Sequence, residues 1–240
     1  MEPTFSGKTV LIAGGTGALG RVVALTFLDH GANVIVTHHN QPEELASLER
    51  DAQGRPGALT GLPVDATDPA ATQSLVDQVL SRFSSLDALV NCIGGYAGGT
   101  KAWQLDEDTW DRMLDLNLRS SSSLIRAVVP AMLRQRAGSI VLVNAKAALD
   151  HGAGAAAYSA SKAAALAMAG SLAADLKGTG VRVNSILPSI IDTPANRESM
   201  PKADFDKWPK PEDLASVILF LSSDAARVIH GAAIPVYGNA

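Results

Sequence analysis

Residues 8–20 read KTVLIAGGTGALG: an apolar, β-rich run from Lys8 to Ala13 breaks into Gly14-Gly15-Thr16-Gly17-Ala18-Leu19-Gly20, and a helical apolar pattern sets in near Ala18. Gly15, Gly17 and Gly20 satisfy G-x-G-x-x-G between a strand and a helix, the context in which that spacing carries meaning. Small residues let the backbone turn sharply and approach a pyrophosphate. The free amides and positive end of the helix then attract its charge. Without a ligand, the same string is only a tight strand-helix turn, so the rest of the chain decides its use.

Working outward, the alternation repeats. Further β-rich runs lie at 33–37, 58–64, 87–91, 139–144, 181–187 and 233–236, and helical patterns begin near Ala18, Pro42, Pro69, Asp108, Ala157 and Pro211. Strand-helix alternation builds a parallel sheet covered on both faces. The expected fold is therefore α/β: a single Rossmann-type, doubly wound parallel sheet of about seven strands over residues 1–240, undivided by any linker or repeat. Residues 190–210, rich in proline and charge and weakly periodic, are the exception, and a lid over the site is expected there.

Composition removes several function classes. With 47% apolar and 18% charged residues the chain is of ordinary globular type, and a net charge of -4 gives no support to nucleic-acid binding. Cys92 stands alone and cannot form an internal disulfide, and no apolar run is long enough to span a membrane. MEPTFSGKTV lacks the marks of a secretory signal, so a cytoplasmic protein is expected. The five histidines show no metal-ligand spacing with acids or cysteine, and no metal is expected.

Tyr158 and Lys162 stand one helical turn apart in AYSASK. A phenol with an ammonium at i+4 suggests an acid whose pKa is drawn down toward its working range, and proton transfer coupled to hydride transfer. The second strand ends Thr37-His38-His39-Asn40, with no carboxylate to repel a 2′-phosphate and two imidazoles able to bond one, so the cofactor reading is NAD(P)H, leaning to NADPH. Asp65 closes the third strand, where it can meet the adenine amino group. Asn91, with Gly94 and Gly95, lies where it can line the ribose side.

These residues together resemble the short-chain dehydrogenase/reductase family along essentially the whole chain: the glycine turn, Asp65, Asn91-Cys92-Ile93-Gly94, Asn117, Tyr158-x-x-x-Lys162, Pro188 with Thr193, and the closing stretch 231–238 fall in the family's order. The resemblance implies Tyr158 as general acid, Lys162 as ribose ligand and activator, Asn117 as support for a water relay, and Thr193 as partner of the nicotinamide carboxamide. From the residues alone, Asn117 in DLNL also reads as a polar residue that kinks a helix and satisfies a freed carbonyl. Two positions depart from the pattern. Ala18 replaces the usual middle glycine, and Ala145 stands where a serine is usual, thirteen residues before the tyrosine.

Several strings are similar to the quinonoid dihydropteridine reductases: GGTGALG at 14–20, GGYAGG at 94–99, AKAALD at 145–150 and DTPANRESMPKADFDKW at 192–208. That branch also lacks the serine, although it uses NADH through an acid that His38 and His39 replace. Chemistry agrees, since hydride addition to an isolated ketone concentrates charge on one oxygen, and loss of one preorganised donor costs about 100- to 1,000-fold. A conjugated quinonoid ring spreads the incoming pair, so Tyr158 alone suffices. The expected activity is thus reduction of a planar conjugated small molecule, a quinonoid dihydropterin first. The alternatives are a carbonyl reductase of 3-oxoacyl or other ketone substrates, with Asn144 or water replacing the serine, and a cofactor-sensing binding protein. The proton-transfer residues argue against the sensor.

Around the substrate, Lys146 is placed to reach it, His151 to act as an extra acid, and Tyr96, Trp103 and Trp208 to sandwich a planar ring. Each also has a plainer reading, as a solvated surface group or a core aromatic. Cys92 reads as a small buried hydrophobe, with no basic group near it in sequence. The alanine-rich stretches 157–174 and 114–132 carry small apolar faces in excess of what one sheet needs, so a homodimer or homotetramer is expected.

Overall fold

A computed structural model describes residues 4–239. Seven strands form one parallel sheet in the order β3-β2-β1-β4-β5-β6-β7: β1 Thr9–Ala13, β2 Asn33–His38, β3 Ala58–Pro63, β4 Ala88–Asn91, β5 Gly138–Val143, β6 Val181–Pro188 and β7 Ala233–Val236. The helices are α1 Ala18–Asp29, α2 Pro42–Ala52, α3 Pro69–Phe83, α4 Glu107–Leu114, α5 Ser120–Gln135, α6 Ala156–Asp175, α7 Pro194–Ser199 and α8 Pro211–Ser222. The chain winds outward from β1 in one direction and from β4 in the other. The carboxyl ends of these two neighbours flank the crevice where such sheets bind ligands.

Every residue of β1 is buried, because its alternating side chains enter two different cores. Val10 and Ile12 join Phe27 of α1 and Ile218 of α8 on one face, while Leu11 and Ala13 join Leu75, Leu124 and Ala169 of α3, α5 and α6 on the other. Short polar caps set helix starts: Asp68 accepts from the Ala70 N–H at 2.8 Å and Asp106 from the Thr109 N–H at 2.6 Å.

The glycine turn is held by contact as much as by conformation. A Cβ on Gly20 would lie 2.1 Å from the Gly14 carbonyl oxygen, so α1 leaves β1 at an angle only glycine allows. Gly20→Ala is expected to destabilise the protein by about 3 kcal/mol, because backbone must move rather than a flexible side chain. Thermal unfolding would then fall by roughly 10 °C. An unchanged melting temperature would show that the turn yields.

Two segments differ from the sequence expectation. The helical pattern starting near Asp108 is not continuous: Asp115–Arg119 forms a π-helical turn between α4 and α5. Ser120 Oγ donates to the Leu116 carbonyl at 2.7 Å and Ser121 Oγ to the Asn117 carbonyl at 3.3 Å, satisfying groups that the wide turn loosens. Residues 190–210 hold α7 and a 3-10 turn at Phe205–Lys207, where weak periodicity concealed a small core. Arg197 forks onto Asp192 at 2.5 and 2.7 Å and covers the Phe205 ring, which packs against Trp208. Trp208, expected as a face for a planar substrate, is instead 7% exposed and holds this segment together.

On α6 the outward positions Ala160, Ala167, Gly170, Ser171 and Ala174 are exposed, leaving a face of small side chains. Among the described residues no helix is long and apolar enough to cross a membrane.

Candidate active site

At the carboxyl ends of β1 and β2, a cleft of about 430 Å³ is lined by Gly14, Gly17, His38, His39, Asp65 and Gly94, among others. Gly14 has a φ of +74°, and its N–H donates to Thr37 Oγ1 at 3.1 Å. Thr16 Oγ1 donates to Gln41 Oε1 at 2.7 Å, pinning the turn to the start of α2. Gly17 and Ala18 face outward at the α1 N-terminus, whereas Gly15 and Gly20 are buried packing positions and the Leu19 side chain enters the core. Of the expected string, Gly14 and Gly17 line the cleft, and they do so with backbone alone.

His38 Nδ1 is buried without a hydrogen-bond partner among the described residues, while His39 is exposed at the cleft rim. Asp65 Oδ1 accepts from the Thr67 N–H at 2.9 Å and its hydroxyl at 2.6 Å, which holds the carboxyl below its ordinary range. Asn91, expected to line the ribose side, has its amide engaged within the protein. Its Nδ2 donates to Ser121 Oγ at 2.8 Å and its Oδ1 accepts from the Ile93 N–H at 3.0 Å, so it shapes the Cys92-Ile93-Gly94 backbone.

Three elements converge beyond that backbone. Asn117, in the π-helical turn, accepts from the Gly95 N–H at 3.0 Å and donates to the Gly95 carbonyl at 3.1 Å and to Ser161 Oγ at 3.0 Å. Lys162, buried on α6, donates to the Val143 carbonyl at 3.2 Å. A Cβ on Gly94 would lie 2.9 Å from Asn117 Oδ1 and 3.1 Å from Lys162 Nζ, so glycine there lets the β4 loop approach both. Tyr158 sits one turn before Lys162, with its ring edge-to-face on Tyr96 at 5.0 Å.

The electrostatics correct one expectation. Burial, reinforced by the neighbouring Tyr96, pushes the Tyr158 phenol up to about 12, and burial pushes Lys162 down to about 8. Burial rather than the Lys162 ammonium sets the phenol in this environment, and Tyr158 is a neutral phenol at pH 7. Cys92 has Lys162 near it in space, although not in sequence. Burial still pushes its thiol up to about 12, leaving it protonated.

Ala145 is buried, and its N–H donates to Asn144 Oδ1 at 3.1 Å. Lys146 Nζ is shared between Asp150 at 3.9 Å and the Tyr237 ring at 5.1 Å, so it is not free to swing at will. His151 is exposed in the loop before α6, where the Gly99 N–H reaches the Gly154 carbonyl at 3.0 Å. Trp103 is 78% exposed beneath Lys101. Pro188 ends β6 in the core, and Thr193 Oγ1 caps α7 by accepting from the Asn196 N–H at 3.3 Å, which leaves its own hydrogen to donate.

Sequence reading passed over Thr37, Gln41, Ser121 and Ser161, which support the named residues through hydrogen bonds. Ser161, three residues after Tyr158, had a helical spacing that pointed the right way. The other three act across the fold and leave no local signal.

A family model described as short chain dehydrogenase matches residues 8–204. The 3-oxoacyl-(acyl-carrier-protein) reductase FabG of Thermotoga maritima is 32% identical, with 97% of each chain covered, and that of Salmonella typhimurium is 30% identical with 98% of each covered. A short-chain type dehydrogenase/reductase of known structure from Mycobacterium ulcerans superposes with a TM-score of 0.93 at 29% identity, over 98% of this chain and 90% of that one. The match spans the phosphate turn, the convergence at Gly94 and the Tyr158–Lys162 pair; the chain belongs to the short-chain dehydrogenase family and is an oxidoreductase.

Proposed function

We propose that this oxidoreductase reduces the carbonyl of a ketone, of the 3-oxoacyl thioester type first, with NADPH preferred over NADH. The observation that carries the reading is Tyr158 held as a neutral phenol beside Lys162. A phenol that keeps its proton until an alkoxide forms is loaded for reduction, and transfer to the more basic alkoxide runs downhill. The names borne by the relatives at 30 and 32% identity support a ketone over a pterin.

The residues fit the cofactor. The turn at Gly14, with its positive φ, and the exposed Gly17 and Ala18 leave backbone open to a pyrophosphate, and the unpartnered Nδ1 of His38 is the kind of buried polar atom that a ligand satisfies. Bound reduced nicotinamide supplies a hydride. Toward it, the Gly14–Ala18 backbone would hold the pyrophosphate, His38 and His39 the 2′-phosphate, Asp65 the adenine amine, Lys162 the ribose hydroxyls and Thr193 the carboxamide. Tyr158 delivers the proton, Asn117 fixes the Gly94-Gly95 backbone between them, and residues 190–210 close over the substrate. A homodimer or homotetramer, supported by the small-residue face of α6, is checked by sedimentation.

His38→Asp would place a carboxylate beside the 2′-phosphate and favour NADH instead. The ratio of kcat/KM for NADPH to that for NADH is expected to fall by about 10- to 100-fold, the worth of one charge-assisted hydrogen bond. A ratio that does not move would take the histidine out of cofactor choice.

Reduction of a quinonoid dihydropterin is the second reading, favoured by Ala145 and by the strings shared with that branch. Oxidation of NADPH and NADH, followed by absorbance against 3-oxoacyl thioesters, simple ketones and a quinonoid dihydropterin, separates the two. Turnover of the thioester or ketones is expected. Turnover of the pterin alone would reverse the order, and tight cofactor binding without turnover of any of them would leave a sensor.

A further inference from the structure

Resting on the carbonyl reading, one chemical gap asks to be filled. Hydride addition to an isolated ketone builds charge on a single oxygen, and one preorganised donor for that charge is worth about 100- to 1,000-fold. Position 145 offers a methyl group. Of its neighbours, Asn144 turns its Oδ1 onto the Ala145 N–H and keeps its Nδ2 as a donor at the strand end, and Lys146 lies between Asp150 and the Tyr237 ring.

Tyr96 is a third candidate. Its ring meets Tyr158 edge-on at 5.0 Å with 75° between the planes, and the residue is 68% exposed, open to a substrate. The loop that carries it is fixed at both ends: Gly95 exchanges hydrogen bonds with the Asn117 amide through both its N–H and its carbonyl, and the Gly99 N–H is bound to the Gly154 carbonyl. Within the loop, a Cβ on Gly98 would lie 2.1 Å from the Tyr96 hydroxyl oxygen, so glycine at 98 leaves that hydroxyl its place. A solvent-facing tyrosine on a free loop would need none of this.

We propose that Tyr96 is a catalytic residue whose phenol donates a second hydrogen bond to the carbonyl oxygen that Tyr158 protonates, replacing the hydroxyl absent at position 145. In the step, the carbonyl carbon receives a hydride, with both its electrons, from the reduced nicotinamide. The C=O π pair moves to oxygen, and Tyr158 transfers its proton there. The ketone is reduced to an alcohol, the nicotinamide is oxidised, and Tyr96 keeps its proton throughout.

Tyr96→Phe tests this because it preserves the ring contact and removes only the hydroxyl. With a ketone substrate, kcat is expected to fall about 100-fold. NADPH affinity, read by fluorescence titration, and thermal unfolding should stay at wild-type values. Adding Ala145→Ser to Tyr96→Phe should return kcat to within about fivefold of wild type, which a packing role for Tyr96 does not predict. Wild-type turnover by Tyr96→Phe overturns the inference and leaves the carbonyl reading intact. A loss that the serine does not rescue, or one matched by lost NADPH affinity, also overturns it. A wild-type protein that reduces only the pterin sinks both.

Discussion

Tyr158→Phe is expected to lower kcat/KM for the preferred ketone by about 1,000-fold, while NADPH still binds and the protein still unfolds at its usual temperature. Magnitude and selectivity both follow from the site. General-acid catalysis contributes about 100- to 10,000-fold, and here the phenol is the residue positioned to give up a proton beside the Lys162 pocket. Among the described residues the hydroxyl has no hydrogen-bond partner, so its loss strands none of them, and the ring keeps its edge contact with Tyr96. Single-turnover kinetics with saturating NADPH would place the deficit in the chemical step. A loss below about tenfold would mean that another group supplies the proton and that Tyr158 is only a wall of the pocket.

Lys162→Met should do something less intuitive: abolish measurable turnover and stabilise the protein without cofactor. Burial pushes this ammonium from its ordinary 10.5 down to about 8, while the unfolded chain restores the ordinary value. Between about pH 8 and 10.5 the unfolded state therefore binds more protons than the folded one, and the wild-type protein gains stability as pH rises through that window. Below pH 8 the full penalty is present, on the order of 3 kcal/mol. Methionine fills the space without a charge, so the variant should be more stable at pH 7 by about that amount and should lose the gain as pH approaches 10.5. Denaturant midpoints measured at pH 7 and pH 10 check both arms. A variant less stable than wild type at pH 7 would show that the Val143 hydrogen bond outweighs desolvation. A lysine kept at such a cost is retained for what it does to a bound molecule.

The order of strands and helices was legible because each β-rich run met a turn residue and then a helical period, as at Ala13 to Ala18 and at Asp68 to Pro69. Tyr158, Lys162 and Asn117 were legible as residues, the first two by spacing on one helix face. What local sequence could not carry was environment. The depth of the pocket around Tyr158, which reverses the expected direction of its pKa, arises from elements more than forty residues apart. The use of Asn91 depended on Ser121, the shielding of Trp208 on Phe205 and Arg197, and the restraint on Lys146 on Tyr237 near the far end of the chain. The first choice of a pterin came from short strings shared with one branch, and likeness over so few residues says little about the chemistry next door.

The wide turn at Asp115–Arg119 amounts to a single extra residue threaded into an otherwise regular rod. Removing one codon there, for instance that of Leu118, would let α4 run on into α5 as an unbroken spiral. The flanking helices would keep their phase, because the wide turn takes up about one residue's worth of rotation; only the residues inside it would be re-aimed. The amide at 117 would lose its aim at Gly95, and with it the pair of hydrogen bonds to that backbone. One inserted residue thus acts as an aiming device: it turns a single amide toward the β4 loop while leaving the packing faces of α4 and α5 where an ordinary helix would put them.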